Sequence, residues 1–215
     1  MLDWLTSPAF TAFGAPTSWA ELLGFATGLV CVGLVVVQHI ANWPVGIANV
    51  LLLMVVFGNA QLYADAGLQL VYVGLGCYGW WQWLHGGAGR SVLLVRRTTR
   101  VEWLALAAAG LVITGLLWSW LTWYTDSTTE LPDATTTALS LLATYGQARK
   151  LLESWWLWIA ADLVYIPLYG YKDLWLTAIL YVVFLGLCVA GLRTWSRRLP
   201  GATGSPAGAS APAAA

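Results

Sequence analysis

Between Ser154 and Tyr171 the chain reads SWWLWIAADLVYIPLYGY, and in it Trp155, Trp158, Asp162, Tyr165 and Tyr169 follow at spacings of 3, 4, 3 and 4. That rhythm places all five on one face of an α-helix. The face joins a carboxylate to flat aromatic rings, which stack on other rings and attract cations. Asn, Gln and Asp side chains take up hydroxyls, so such a surface suits a cationic ring carrying a sugar: a pyridinium nucleoside or a thiazolium vitamin. A carboxylate at the centre of a membrane helix costs about 2.5–3.5 kcal/mol on insertion scales and marks a functional site by default. Asp162 is therefore expected to face the interior of a bundle. The competing reading makes it a clamp between helices, with the aromatic residues as packing.

Other polar groups lie in apolar surroundings. Asn42 and Asn49, seven apart, share a face of the helix that Asn42-Trp43-Pro44 opens. Asn42 fits a helix cap, since Pro is tolerated in a first turn; Asn49 fits either a ligand contact or an interhelical bond. Gln61, Asp65 and Gln69 follow in the next stretch, while Gln38 and Gln147 stand at span ends. Tyr72 and Tyr181 open later helices, and Tyr78 to Trp83 reads as an aromatic belt. His39 and His85 have no HExxH-like partner, so neither metal nor metal chemistry is expected. No GxSxG, P-loop or Walker-type lysine occurs, and the chain is read as a non-enzyme without a cofactor.

These residues require helices that cross a membrane. Of the 215 residues 59% are hydrophobic and only 9% charged, against roughly 25% charged in soluble domains. Zero net charge without a basic patch excludes a nucleic-acid partner. Cys31, Cys77 and Cys188 are scattered through apolar runs and read as small hydrophobes. The start lacks the basic residues of a cleaved signal. Residues 1–18 form an expected interfacial segment with a short helix; 19–84 hold three spans. A basic loop covers 85–100, a linker helix 101–123, and three further spans 134–195. The tail 196–215, rich in Ala, Gly, Pro and Ser from Pro200 onward, is expected to be disordered. The fold class is an all-α integral membrane protein of seven transmembrane helices.

Nine of the ten basic residues, all but Lys172, fall in the loops and tail after spans one, three, five and seven. The positive-inside rule then puts the C-terminus in the cytoplasm and the N-terminus outside. Trp43 and Trp83 are 40 apart, as are Trp155 and Trp195. Three spans ending in Gln38 and a Trp-led helix are matched by three with Gln147. Because one span separates the triplets, they run parallel, an arrangement that places a binding site at their interface near mid-depth.

The segments WPVGIAN, LYAD and LQLVYVGLGCYGWWQW, followed by ESWWLWIAADLVYIPLYGYKDLWLTAILYVVFLGLCVAGLRTW, resemble the PnuC family of bacterial vitamin transporters over about residues 20–195. The resemblance implies a three-plus-one-plus-three arrangement similar to the SWEET proteins, with two parallel three-helix repeats, a homotrimer, and a bacterial inner membrane with its lipid. It implies facilitated diffusion of a small molecule, nicotinamide riboside, which is trapped later by a cytosolic kinase. By motif it assigns ligand contacts to Trp43 and Asn49 and to Trp155, Trp158 and Asp162, and further to Gln38, Gln69, Tyr72 and Gln147. A thiamine-type transporter of the same fold and a membrane scaffold without a ligand are the alternatives.

Overall fold

The computed structural model describes all residues except 1–2, 13–14, 60, 62, 125–128, 172 and 200–215. The expected disorder of the tail from Pro200 lies outside the described residues. Seven helices of 18 residues or more follow in order: α2 (Trp19–Val36), α3 (Asn42–Asn59), α4 (Tyr63–His85), α5 (Arg100–Tyr124), α6 (Glu130–Ala148), α7 (Ser154–Tyr171) and α8 (Trp175–Ser196). They are preceded by α1 (Asp3–Thr6) and an antiparallel hairpin, β1 (Pro8–Ala12) with β2 (Ala15–Ser18). A short helix, α1, stands in the expected N-terminal segment, followed by a strand pair that the sequence does not signal. Pro8 and Pro16 each lack the amide N–H that a longer helix through this segment would need.

At 25 residues α5 is about 37 Å long, enough to cross a hydrocarbon core of roughly 30 Å. Its surface is apolar and open: Leu104 is 72% exposed, Leu111 78% and Leu116 68%. Lipid accommodates such a surface and water does not. At its start Thr99 and Glu102 make a reciprocal cap. The Thr99 amide donates to Glu102 Oε2 at 2.9 Å and the Glu102 amide to Thr99 Oγ1 at 3.2 Å, satisfying two donors that a helix start leaves open. Glu130 and Asp133 lie in the first turn of α6, where the helix dipole favours acids.

Helices α2, α3 and α4 pack in sequence, as do α6, α7 and α8, and α5 lies against α6. The two sets meet where α2 packs on α8 and α4 on α6. Equivalent features of the two sets recur at one separation of 112 residues. Left-handed backbone occurs at Gln38 (φ 61°) and Lys150 (φ 49°), and again at Gln61 (φ 60°) and Asp173 (φ 57°). The Gln38 amide donates to Val35 O and the Lys150 amide to Gln147 O, each at 3.0 Å. Trp43 meets Trp83 edge to face at 5.4 Å and 89°, and Trp155 meets Trp195 with the same distance and angle. Each first-named ring lies on a glycine: a Cβ on Gly79 would stand 2.2 Å from Trp43, and one on Gly191 2.4 Å from Trp155.

This register changes one sequence expectation. Gln38 and Gln147 are not counterparts: Gln38 matches Lys150, and Gln147 matches Val35. The turns α2–α3 and α6–α7 are equal in length, and their left-handed residues fix the alignment that chemical likeness between two glutamines obscured. Tyr72 likewise matches Phe184, and Tyr181 matches Gln69.

The main buried core gathers where α2, α4, α6 and α8 end. It contains Val35, Trp43, Trp83, Ala148, Trp155 and Trp195. Two bonds tie the sets together there: Trp83 Nε1 donates to Gln147 O at 2.9 Å, and Trp195 Nε1 to Val35 O at 3.1 Å. The segment after α4 lies over this end. Leu93 N donates to Trp83 O, Lys150 Nζ to Leu93 O, and Arg96 bridges the chain beside Leu151.

Candidate functional site

The face of α7 that the spacing picks out does turn inward. Asp162 is 2% exposed and Trp155 fully buried, while their chain neighbours Leu163 and Trp156 are each more than half exposed. Pro167 lies inside the same helix, where its missing N–H removes one backbone hydrogen bond. Asp162 Oδ2 accepts a bond from the Cys188 thiol of α8 at 3.4 Å. Among the described residues no Lys or Arg lies within ion-pair distance of this carboxylate.

One and two turns further along α7, Tyr165 and Tyr169 stack on each other at 5.6 Å. Both also lie against Tyr181 of α8, at 4.6 and 5.2 Å, and Tyr181 meets Phe184 edge to face at 5.7 Å. Helix α6 contributes two buried hydroxyl residues, Thr136 at 1% and Ser140 at 5% exposed. Phe184 in turn packs on Gly28 of α2, whose missing Cβ would stand 3.4 Å from its ring. This group of aromatic rings therefore spans the junction of the two helix sets, next to the buried carboxylate.

The remaining expected contacts divide. Gln69 of α4 is 7% exposed. Gln38 Nε2 and the Nε1 atoms of Trp43, Trp155 and Trp158 are buried donors without an acceptor among the described residues. An unmet buried donor costs about 1–3 kcal/mol, and each calls for a reason. Asn49 commits its amide within its own set: Nδ2 donates to Gly24 O at 3.1 Å and to Thr27 Oγ1, both on α2. It is not bonded to Asp162, which is tied to α8. Gln147 contributes its backbone carbonyl to Trp83, and Trp43 and Trp155 are held in their paired rings. Asn42, expected as a cap, is 2% exposed and donates through Nδ2 to His39 O at 2.8 Å.

Thr136, Ser140 and Phe184 carry no signal in spacing or motif, and Tyr181 and Cys188 read from the sequence as packing. Comparison of the chain with itself at a separation of 112 could have found them, because the first set has other residue types at each of these positions.

The basic end of the bundle has its own electrostatics. Lys150, 5% exposed, sits 4.3 Å over the Trp83 ring. Burial, helped by nearby Arg198, pushes its ammonium down to about 8. Arg96 pairs with both oxygens of Glu102, with Nη1 at 2.8 Å from Oε2, and these bonds raise the guanidinium above its usual value. A cleft of about 650 Å³ opens at this end, lined by Trp81, Gln82, His85, Ser91, Arg96 and Arg149 among others. It shares no residue with the α7 face. Among the described residues no group of three metal-ligating side chains occurs.

The sequence profile described as nicotinamide mononucleotide transporter matches residues 18–197. The riboflavin/roseoflavin transporter RibM of Streptomyces davaonensis is 32% identical, over 96% of this chain and all of its own. The nicotinamide riboside transporter PnuC of Escherichia coli is 25% identical over 86% of this chain and 87% of its own. PnuC of Neisseria mucosa is 28% identical over 85% and 73%. A crystal structure of the vitamin B3 transporter PnuC superposes with a TM-score of 0.64 at 26% identity, covering 83% of this chain and 81% of that one.

Proposed function

Because this chain belongs to the nicotinamide mononucleotide transporter family, with PnuC among its relatives, we propose that it carries nicotinamide riboside across the bacterial inner membrane by facilitated diffusion. The family's members are membrane transporters rather than enzymes. The observation that carries the substrate reading is Asp162: a buried carboxylate without a cationic partner among the described residues, beside stacked tyrosine faces. A cationic pyridinium ring gains from both, since aromatic faces and a carboxylate each attract positive charge.

Trp158, Asp162, Gln69 and Tyr72 then contact the ligand, and the Gln38 and Trp158 donors receive its oxygens. Trp43, Trp155 and Gln147 hold the frame, and Asn49 clamps α3 to α2. The helix sets act as two parallel triplets with α5 as their linker, a reading supported by the 112-residue register. The basic end faces the cytoplasm, with the C-terminus inside and the N-terminus outside, as the arginine count favours. A homotrimer completes the assembly, its lipid-facing surface including the open leucines of α5.

A second reading is transport of riboflavin, favoured by the full-length likeness to RibM. Riboflavin is uncharged, so the two separate cleanly. Asp162→Asn keeps an acceptor for Cys188 and removes the charge. On the first reading, purified protein titrated by tryptophan fluorescence loses about tenfold or more in affinity for nicotinamide riboside, because bonds to charged groups contribute roughly 1.5–3 kcal/mol. Unchanged riboside affinity makes Asp162 structural; binding of riboflavin alone reverses the choice.

A further inference from the structure

Between α4 and α5 the chain crosses the basic end of the bundle, and its contacts there are unequal. Residues 93–98 are bound along their length to the α6–α7 turn of the second helix set. Lys150 Nζ donates to Leu93 O at 2.9 Å. The Arg96 amide donates to Lys150 O at 3.1 Å, and the Leu152 amide to Arg96 O at 2.9 Å. Thr98 gives both its amide and its hydroxyl to Glu153 Oε2, at 2.7 and 2.8 Å. Val95, 2% exposed, belongs to the main core together with Ala148, Leu152 and Trp155.

The first set holds the same segment by much less. Among the described residues, the one hydrogen bond from residues 93–98 to that set runs from the Leu93 amide to Trp83 O, at 3.3 Å. The cleft of about 650 Å³ is lined by Trp81, Gln82 and His85 of α4 and by Leu94 and Arg96 of the segment, so open space separates much of the two. The link back to α4 begins Gly86-Gly87-Ala88-Gly89. Gly89 and Arg90 are both left-handed at φ 63°, and a Cβ on Gly89 would meet nothing within 4 Å. Short loops that absorb unusual backbone angles in open space are where hinges form.

Trp83 is the joint between the two. Its carbonyl takes the Leu93 amide, its indole donates to Gln147 O at 2.9 Å, and the Lys150 ammonium lies 4.3 Å over its ring. Helix sets that rock about a central site break their mutual contacts at whichever end opens. Here the contacts to be broken meet on one residue, while the bonds of residues 93–98 to the second set stay intact. We infer that residues 93–98 are a clasp carried by the second helix set, which closes the basic end of the bundle on Trp83 and swings off it about 86–89 when that end opens. This rests on the transport reading above, since a transporter is what needs that end to open, and it holds for either vitamin.

The test uses full-length protein in liposomes, with paired spin labels on genetically encoded keto residues and distances read by pulsed dipolar spectroscopy. One label replaces Arg97 of the clasp, whose side chain is 73% exposed. Its partner replaces either Val37 of the first set or Tyr171 of the second, both exposed. Trp83→Phe, which removes the indole bond to Gln147, is expected to raise the ratio of longer to shorter Arg97–Val37 distances about two- to tenfold, the range of one neutral hydrogen bond. The Arg97–Tyr171 distance is expected to stay single and unchanged. Glu153→Ala, which frees Thr98, is expected to broaden the Arg97–Tyr171 distance instead. A single Arg97–Val37 distance that Trp83→Phe leaves alone overturns the clasp, as does an Arg97–Tyr171 distance that splits in the unaltered protein or stays narrow in Glu153→Ala. Those results with vitamin uptake intact leave the transport reading standing. Liposomes that take up neither nicotinamide riboside nor riboflavin remove that reading, and the purpose of the clasp with it.

Discussion

Gly191→Ala places a methyl group where the Trp155 ring already lies. The new Cβ would stand 2.4 Å from two ring carbons and 2.6 Å from a third, well inside van der Waals contact. The ring cannot yield easily, because Trp195 meets it edge to face at 5.4 Å and the indole is fully buried. Overpacking of this kind costs about 1–3 kcal/mol. For a chain of this size each kcal/mol lowers the melting temperature by about 2–4 °C, so a fall of about 2–12 °C is expected in detergent, read by intrinsic fluorescence during heating. Gly79→Ala, where a Cβ would meet Trp43 at 2.2 Å, is expected to give a similar fall. Gly186→Ala and Gly74→Ala are the controls: they are also 112 apart, lie within helices and would meet nothing within 4 Å. There alanine gains up to about 1 kcal/mol of helix propensity. Trp155→Phe is expected to restore part of the loss in Gly191→Ala. If Gly191→Ala melts with the Gly186→Ala control, the indole-on-glycine contact does not hold the frame, and the reasoning fails.

Three further outcomes follow from the same contacts. Asn49→Ala removes the bonds to α2 and is expected to cost about 0.6–1.7 kcal/mol in thermal unfolding, with vitamin affinity unchanged; a tenfold affinity loss would instead place Asn49 at the ligand. Trp83→Phe and Trp195→Phe each delete one indole bond across the helix sets and are expected to cost about 0.5–1.5 kcal/mol. With their rings 6.1 Å apart, the double variant is expected to depart from additivity by at least 0.5 kcal/mol on the scale seen for contacting residues. Lys150 titrates near 8 in the folded protein and at its ordinary value, 10.5, when unfolded. Between those values the unfolded state holds more protons, so stability contributed by this group rises with pH across that window and is flat below it. Melting curves at pH 7 and 9.5 are expected to show the rise in wild type, and Lys150→Met to lack it.

Much of the fold could be read from the sequence because lipid imposes long apolar runs. Helix α5 differs from the expected 101–123 by one residue at each end. Helix α6 begins four residues before the expected 134, at Glu130, since its polar first turn still forms helix. Residues 3–18 went the other way: with no apolar run to read, the strand pairing of Pro8–Ala12 with Ala15–Ser18 left no mark. At the site, the 3-4-3-4 stripe of α7 was legible because helical periodicity alone defines it. Ser140 and Thr136 were not, because ATTTALSLLATYG resembles any small-residue helix until it is set beside GFATGLV at the right register. That register is carried by Trp43 with Trp155 and Trp83 with Trp195, and pairing Gln38 with Gln147 points to a different one.

Uptake by reconstituted vesicles bears most directly on the central claim. With the protein in liposomes and no gradient other than substrate, labelled nicotinamide riboside is expected to equilibrate across the membrane. It should exchange against unlabelled riboside from inside, be unaffected by protonophore, and slow markedly in Asp162→Asn. Labelled nicotinamide is expected to show no protein-dependent entry. Riboflavin uptake without riboside uptake, or riboside uptake indifferent to the charge at Asp162, contradicts the account.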